Sequence, residues 1–132
     1  MRRNLQQRGD HALRPMVGCR INTYIPDRIT EGYGLNEAGL RAIKDVANTL
    51  VITAEVTAIK EAKLCRELGM DLIVTDHALN ADGILSEAIA VVNPHIPSPY
   101  TFANLCGAGV AFALLVATRK VLRERGFFKR RP

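Results

Sequence analysis

The sequence predicts an α/β domain built on a parallel, doubly wound sheet with flanking helices, and three observations predict it. Short apolar and β-branched runs (TLVIT, DLIVT and AIAVV) have the composition of strands buried on both faces. Amphipathic stretches of helical period alternate with such runs. Glycine and proline stand at the junctions, where an element has to stop. Buried strands alternating with helices imply crossover connections, and strands so connected run parallel.

Residues 1–18 show no clear period, and Pro15 would interrupt a helix, so this segment is expected to be poorly defined. Residues 19–25 (CRINTYI) alternate in polarity, which predicts a strand stopped by Pro26. PDRITEGYGL is turn chemistry, with Gly32 and Gly34 free to take positive φ. Asn36 predicts the N-cap of a helix whose apolar face carries Leu40, Ile43 and Val46 or Ala47. Residues 49–53 (TLVIT) then predict an interior parallel strand. Residues 57–68 predict a helix with Ile59, Ala62, Leu64 and Leu68 mostly on one side, and Gly69 fits the position just past its end. Residues 71–75 (DLIVT) and 88–92 (AIAVV) predict two more buried strands, the second ended by Asn93-Pro94. A loop holding Pro94, Pro97 and Pro99 leads to a last helix from about Gly107 to Arg125, and residues 126–132 form a basic tail.

Composition limits the function classes. At 132 residues, with 48% hydrophobic and 23% charged residues, the chain has the make-up of one globular domain rather than of a disordered segment. The net charge of +5 favours contact with a polyanion, and the bases cluster at Arg2, Arg3 and Arg8 and at Lys129, Arg130 and Arg131. For the terminal clusters alone, two solvated tails are the simpler explanation. Aromatic content is 5% with no Trp, so stacking platforms for unpaired bases are not obvious. Cys19, Cys65 and Cys106 form no CxxC pair and are odd in number, which argues against a zinc knuckle or a secreted disulfide framework and for a reducing cytoplasm. No signal peptide is visible. The apolar stretch 105–117 is too short to span a bilayer and reads as a buried helix, so no membrane partner is expected.

In a parallel sheet, ligands bind beyond the carboxyl ends of the strands, so the residues to inspect follow the three runs. After DLIVT come Asp76 and His77, a hard oxygen and a borderline nitrogen that suit a divalent metal. The same pair also arises as a helix cap or a loop hydrogen bond. After TLVIT comes Glu55, a carboxylate that is more simply a solvent-facing residue at the start of the next helix. Asp82 and His95 lie in loops after strands, with no spacing that selects them, and His11 lies in an unpatterned context. Gly107 and Gly109 open the last helix and would let a phosphate approach exposed amides, although no Gly-Lys-Ser/Thr follows as in a P-loop. Close packing explains these glycines as well. Arg28 is a candidate for substrate phosphate, or for a loop salt bridge with Glu31 or Asp27.

Four segments in order carry a resemblance: TYIPDRITEGYGLN, LVIT, TAIKEAKLCRELGMDLIVTDH and AIAVVNPHIPSPYTFANLCGAGVAFAL, spanning residues 21–116. Together they resemble the DHH phosphoesterase superfamily, and within it the RecJ-type single-stranded-DNA-specific exonucleases. EGYGL, VTDH, VVNP and GAGVAF are specific as a set. The resemblance implies a partial DHH domain over residues 19–125 and a sheet whose Asp and His residues hold two Mn2+ or Mg2+ ions. Those ions activate water for 5′-to-3′ hydrolysis of single-stranded DNA in repair and recombination. It also implies a second domain, joined by a long helix, that closes over the cleft and helps to bind DNA.

Carried onto this chain, the family's third motif, Asp-His-His, is matched by Asp76 and the metal-binding His77, while Ala78 replaces the phosphate-contacting second His. The first motif, Asp-x-Asp-Gly, has no counterpart. The second, Val-Asp-Cys-Gly, is replaced by ITAEV, leaving Glu55 as the nearest carboxylate. The expectation is therefore an incomplete, truncated relative, a gene remnant in the simplest case, that is inactive alone. Its alternatives are a working enzyme whose missing parts come from another chain, and a non-catalytic nucleic-acid- or protein-binding module built on the same sheet. Loss of the closing domain would leave an apolar stripe on the last helix, from Val110, Phe112, Leu114, Leu115, Val116, Val121 and Leu122, and promote self-association.

Overall fold

The computed structural model describes residues 18, 21–32, 34–54, 59–77, 87–97 and 104–130. Among them, three strands form one parallel sheet in the order β1 (Leu50–Thr53), β2 (Asp71–Thr75), β3 (Ala90–Val92). Helix α1 (Glu37–Asp45) precedes β1, α2 (Ile59–Glu67) connects β1 to β2, and α3 (Gly107–Glu124) follows β3 before one 3-10 turn at Phe127–Arg130. This is the α/β parallel architecture that the sequence predicts.

Helix α1 begins where Asn36 places it. The Asn36 backbone is extended, and its side-chain Oδ1 accepts the Gly39 N–H at 2.7 Å, satisfying one of the amides a helix start leaves unpaired. Leu40 and Ile43 face the core. Val46 and Ala47 do not join them, because the helix ends at Asp45 and both residues are exposed. Ala47 instead turns the chain with φ 61°, a left-handed conformation that costs a residue bearing a Cβ about 1–2 kcal/mol. Helix α2 ends more comfortably. Gly69 takes φ 73°, its N–H donates to the Arg66 carbonyl, and the Met70 N–H reaches back to the Cys65 carbonyl, the paired bonds of a Schellman cap. On α2, Ala62 and Cys65 are buried and Leu64 and Leu68 pack beside them, whereas Ile59, expected on that side, is exposed.

Partners across a parallel ladder lie on the same face of the sheet. Val51 pairs with Leu72 and Thr53 with Val74, so one face gathers Val51, Leu72 and Val74. Leu40, Ile43, Ala62, Cys65 and Met70 cover it, making the main core. Burial pushes the Cys65 thiol pKa up, and the Asp71 carboxylate adds to the rise. The opposite face carries Ile73 and Thr75, and α3 lies against β2 there through Val110, which is buried yet stands outside the first core. Helices thus flank the sheet on both sides of β2.

Two strand expectations change. Residues 21–27 form no strand among the described residues, and residues 19–20 lie outside them. Side chains rather than a ladder fasten this stretch. Tyr24 packs so closely on Gly39 that a Cβ there would lie 2.6 Å from the ring, and its hydroxyl donates to Glu31 Oε2 at 3.0 Å. Burial, and then that Glu31 hydrogen bond, hold the Tyr24 phenol above its ordinary pKa. Second, β1 is an edge strand of the described sheet, with Leu50 47% and Ile52 54% exposed, where an interior strand was expected. An all-apolar run cannot tell an interior strand from an edge strand whose second face is bare. β3 is also shorter than AIAVV, although the Ile89 N–H still donates to the Leu72 carbonyl.

Replacing Ala47 with glycine is expected to stabilise the fold. Relief of the left-handed strain exceeds the added flexibility of the unfolded chain by about 0.5–1 kcal/mol. A urea unfolding midpoint that does not rise in Ala47→Gly contradicts this account of the α1 terminus.

Candidate functional site

The carboxyl ends of the three strands meet at one edge of the sheet, and the β2 end is the most firmly held. Thr75 is fully buried, and its hydroxyl donates to the Thr53 carbonyl at 2.7 Å, locking the tips of β1 and β2 together. One residue further, the Asp76 N–H donates to the Val92 carbonyl at 3.0 Å, so the pairing with β3 extends into the site itself. The Asp76 side chain is 16% exposed, and its Oδ1 accepts the His77 N–H at 2.7 Å. His77 is more open, at 43%, with its Nδ1 3.9 Å from the same oxygen. Just past β3, Asn93 Oδ1 accepts the His95 N–H at 2.9 Å, which sets the turn after the strand.

Other predicted positions fall differently. Arg28 is exposed on the turn before α1, where Asp27 Oδ1 accepts the Ile29 and Thr30 amides and Glu31 Oε2 accepts both the Tyr24 hydroxyl and the Asp27 N–H. Gly107 is buried at the first turn of α3, and a Cβ on Gly109 would meet Leu105 Cδ2 at 3.1 Å, so a side chain there would require Leu105 to shift. Glu55, Ala78 and Asp82 lie outside the described residues. Sequence reading passed over Thr75 and Asn93. Both signals were present, a hydroxyl at the end of a buried run and an Asn before Pro, but each had been taken only as a strand end.

The donor set determines what this edge can hold. Two divalent ions about 4 Å apart repel by on the order of 16 kcal/mol even at an effective dielectric of about 20, a cost that bridging carboxylates must offset. Here Asp76 supplies one carboxylate and His77 one imidazole. Among the described residues, no three His, Cys, Asp or Glu side chains come together in a group able to hold a metal ion. The described residues therefore do not fit a two-ion centre.

A parallel sheet that carries an acid and an imidazole beyond its central strand, between flanking helices, is an α/β domain of the kind in which ligands bind at the strand tips. The chain belongs to the DHH family, whose N-terminal domain matches residues 5–129. It is 43% identical over 101 residues to the single-stranded-DNA-specific exonuclease RecJ of Bacillus subtilis (strain 168), an alignment covering 74% of this chain and 13% of that protein. It is 34% identical over 119 residues to the proteins of the same name from Salmonella typhimurium and from Escherichia coli (strain K12), covering 87% of this chain and 20% of each. The chain thus spans between 13% and 20% of the length of these relatives. No solved structure matches it. Among the described residues, no helix is long and apolar enough to cross a membrane.

Thr75→Val keeps the shape of the buried side chain and removes its bond to the Thr53 carbonyl. Chemical unfolding is expected to show a loss of about 1 kcal/mol. Unchanged stability would mean that the two strand tips are held by packing alone.

Proposed function

We propose that this chain is the sheet portion of a divalent-metal-dependent hydrolase of single-stranded DNA, to which Asp76 and His77 contribute metal ligands. The observation that carries the reading is their position, at the carboxyl end of the central strand of a DHH-family domain. The names of the similar proteins supply the substrate, single-stranded DNA, and the activity, exonuclease. A divalent ion would supply the activated water. The chain's own residues would fix ligand positions, since Thr75 and the Asp76 amide hold the strand tip in register. Work in cytoplasmic DNA repair and recombination, with 5′-to-3′ polarity, follows from the same reading.

Among the described residues the strand-tip site is short of negative charge. One Asp and one imidazole cannot offset the repulsion between two divalent ions, and the Ala78 methyl offers no hydrogen-bond donor to a phosphate. The chain alone therefore does not hydrolyse DNA in this proposal. Ala78 also favours a second reading, a non-catalytic module that binds nucleic acid on the same domain.

A chimera separates the two. Residues 21–116 are to replace the matching segment of the Bacillus subtilis relative, and Mn2+-dependent release of nucleotides from a labelled single strand is then followed. The isolated chain is expected to be inactive and the chimera weakly active. Ala78→His should raise the chimera's rate by about tenfold or more, and Asp76→Ala should abolish it. Equal rates for the chimera and its Asp76→Ala variant would contradict the metal-ligand role. An inactive Ala78→His chimera with an intact fold would favour the binding module.

A further inference from the structure

The chain's net charge is concentrated in one place. Residues 119–130 hold six Lys or Arg and a single Glu, an excess equal to the +5 of the whole chain, so the remaining residues balance. No charged residue occurs in residues 107–118, the preceding part of α3. Arg119, Lys120, Arg123, Arg125 and Lys129 are all exposed. The acid in this stretch, Glu124, lies 3.9 Å from Lys120, an exposed pair of little energetic weight. Among the described residues, no ion pair engages Arg119 or Arg123.

Helical geometry puts these cations on a defined surface. At about 100° per residue, Phe112, Leu115, Val116, Arg119 and Arg123 fall within an arc of about 100°. Val110, which packs on the sheet, lies about 180° from Arg119. The members of the outward arc are exposed, Phe112 at 65%. One face of α3 therefore runs from an open aromatic ring through aliphatic side chains to two arginines. The 3-10 turn beyond it presents Lys129 and Phe128, whose ring is 37% exposed and meets Phe127 edge-on at 5.4 Å.

We infer that this outward face of α3, with the turn that follows it, is a binding surface for single-stranded nucleic acid. Arg119, Arg123 and Lys129 contact phosphates, and Phe112 stacks on a base. Cations beside open aromatic rings are the combination that holds an unpaired strand without reading its sequence. A duplex offers the phosphates without a free base face, and a second copy of this chain would bring like charges together. The surface lies on the helix, apart from Asp76 and His77, and needs no metal. It rests on the proposed function only for the choice of DNA.

The test is fluorescence anisotropy of labelled oligo(dT) with the 132-residue chain in EDTA, across a salt series. The triple variant Arg119→Ala, Arg123→Ala, Lys129→Ala should bind about tenfold or more weakly at low salt. Its log–log salt slope should fall by about 2, from about 0.7 per phosphate contact on a single strand. Phe112→Ala should weaken the single strand and leave duplex binding unchanged. Circular dichroism checks that the fold persists, and the double variant Arg119→Lys, Arg123→Lys should keep most of the affinity. Unchanged affinity in the folded triple variant overturns the inference, as does tighter binding to phosphatidylserine vesicles than to oligo(dT). Because no hydrolysis is measured, failure here leaves the metal-ligand proposal standing, and failure of the chimera leaves this surface intact.

Discussion

The structure depends on the pairing of β2 along both of its edges. An interior parallel strand has its backbone groups bonded on each side, which leaves little freedom for its register. β2 pairs with β1 from Asp71 to Val74 and with β3 from Ile73 to Thr75. The Asp71 N–H donates to the Thr49 carbonyl on one side, and the Asp76 N–H donates to the Val92 carbonyl on the other. Register then fixes which side chains face which layer. Leu72 and Val74 enter the core under α1 and α2, while Ile73 and Thr75 turn towards α3. A slip of one residue would exchange the two sets and send Thr75 into the apolar core. The position of Asp76 at the sheet edge follows from the same register.

Legibility in the sequence tracked how local the cause of each element was. The Asn36 cap, the glycine after α2 and the bounds of α3 are set by a few neighbouring residues, and the sequence announces them. Elements set by distant partners were read less well. CRINTYI has the alternation of a strand, but a strand needs an edge to pair with, and Tyr24 is occupied instead by Gly39 and Glu31. TLVIT is apolar throughout, which suits burial on two faces, yet Leu50 and Ile52 are left open. The stretch 105–117 read as a buried helix for the same reason. Only Gly107 and Val110 of α3 are buried; of the stripe expected to be exposed, Phe112, Leu115, Val116 and Val121 are exposed, whereas Leu114 and Leu122 are half-buried and Val110 packs inside.

The candidate site divides in the same way. Asp76 and His77 could be picked out because the end of a buried run is a known place for ligands, and the structure puts them there. What makes the place rigid, the Thr75 hydroxyl on a neighbouring carbonyl, depends on strand pairing and could not be read from order alone. The concentration of positive charge on α3 was in the sequence, but the terminal clusters drew attention first. Only the helix geometry shows that Arg119 and Arg123 share a face with Phe112. The chain thus has two surfaces of different character, one at the strand tips with limited anionic capacity and one on α3 rich in cations.

Amide hydrogen exchange read residue by residue tests the dependence on β2 most directly. The amides of Asp71 and Asp76, which mark the two ends of the strand's pairing, should be protected to nearly the same degree as those of Leu72 and Val74. The His77 amide, bonded only to the neighbouring Asp76 side chain in an exposed position, should exchange much faster. Exchange of Asp76 at the rate of the exposed turn at Ile29 and Thr30 would contradict the account, because the candidate ligand would then lie beyond the ordered strand.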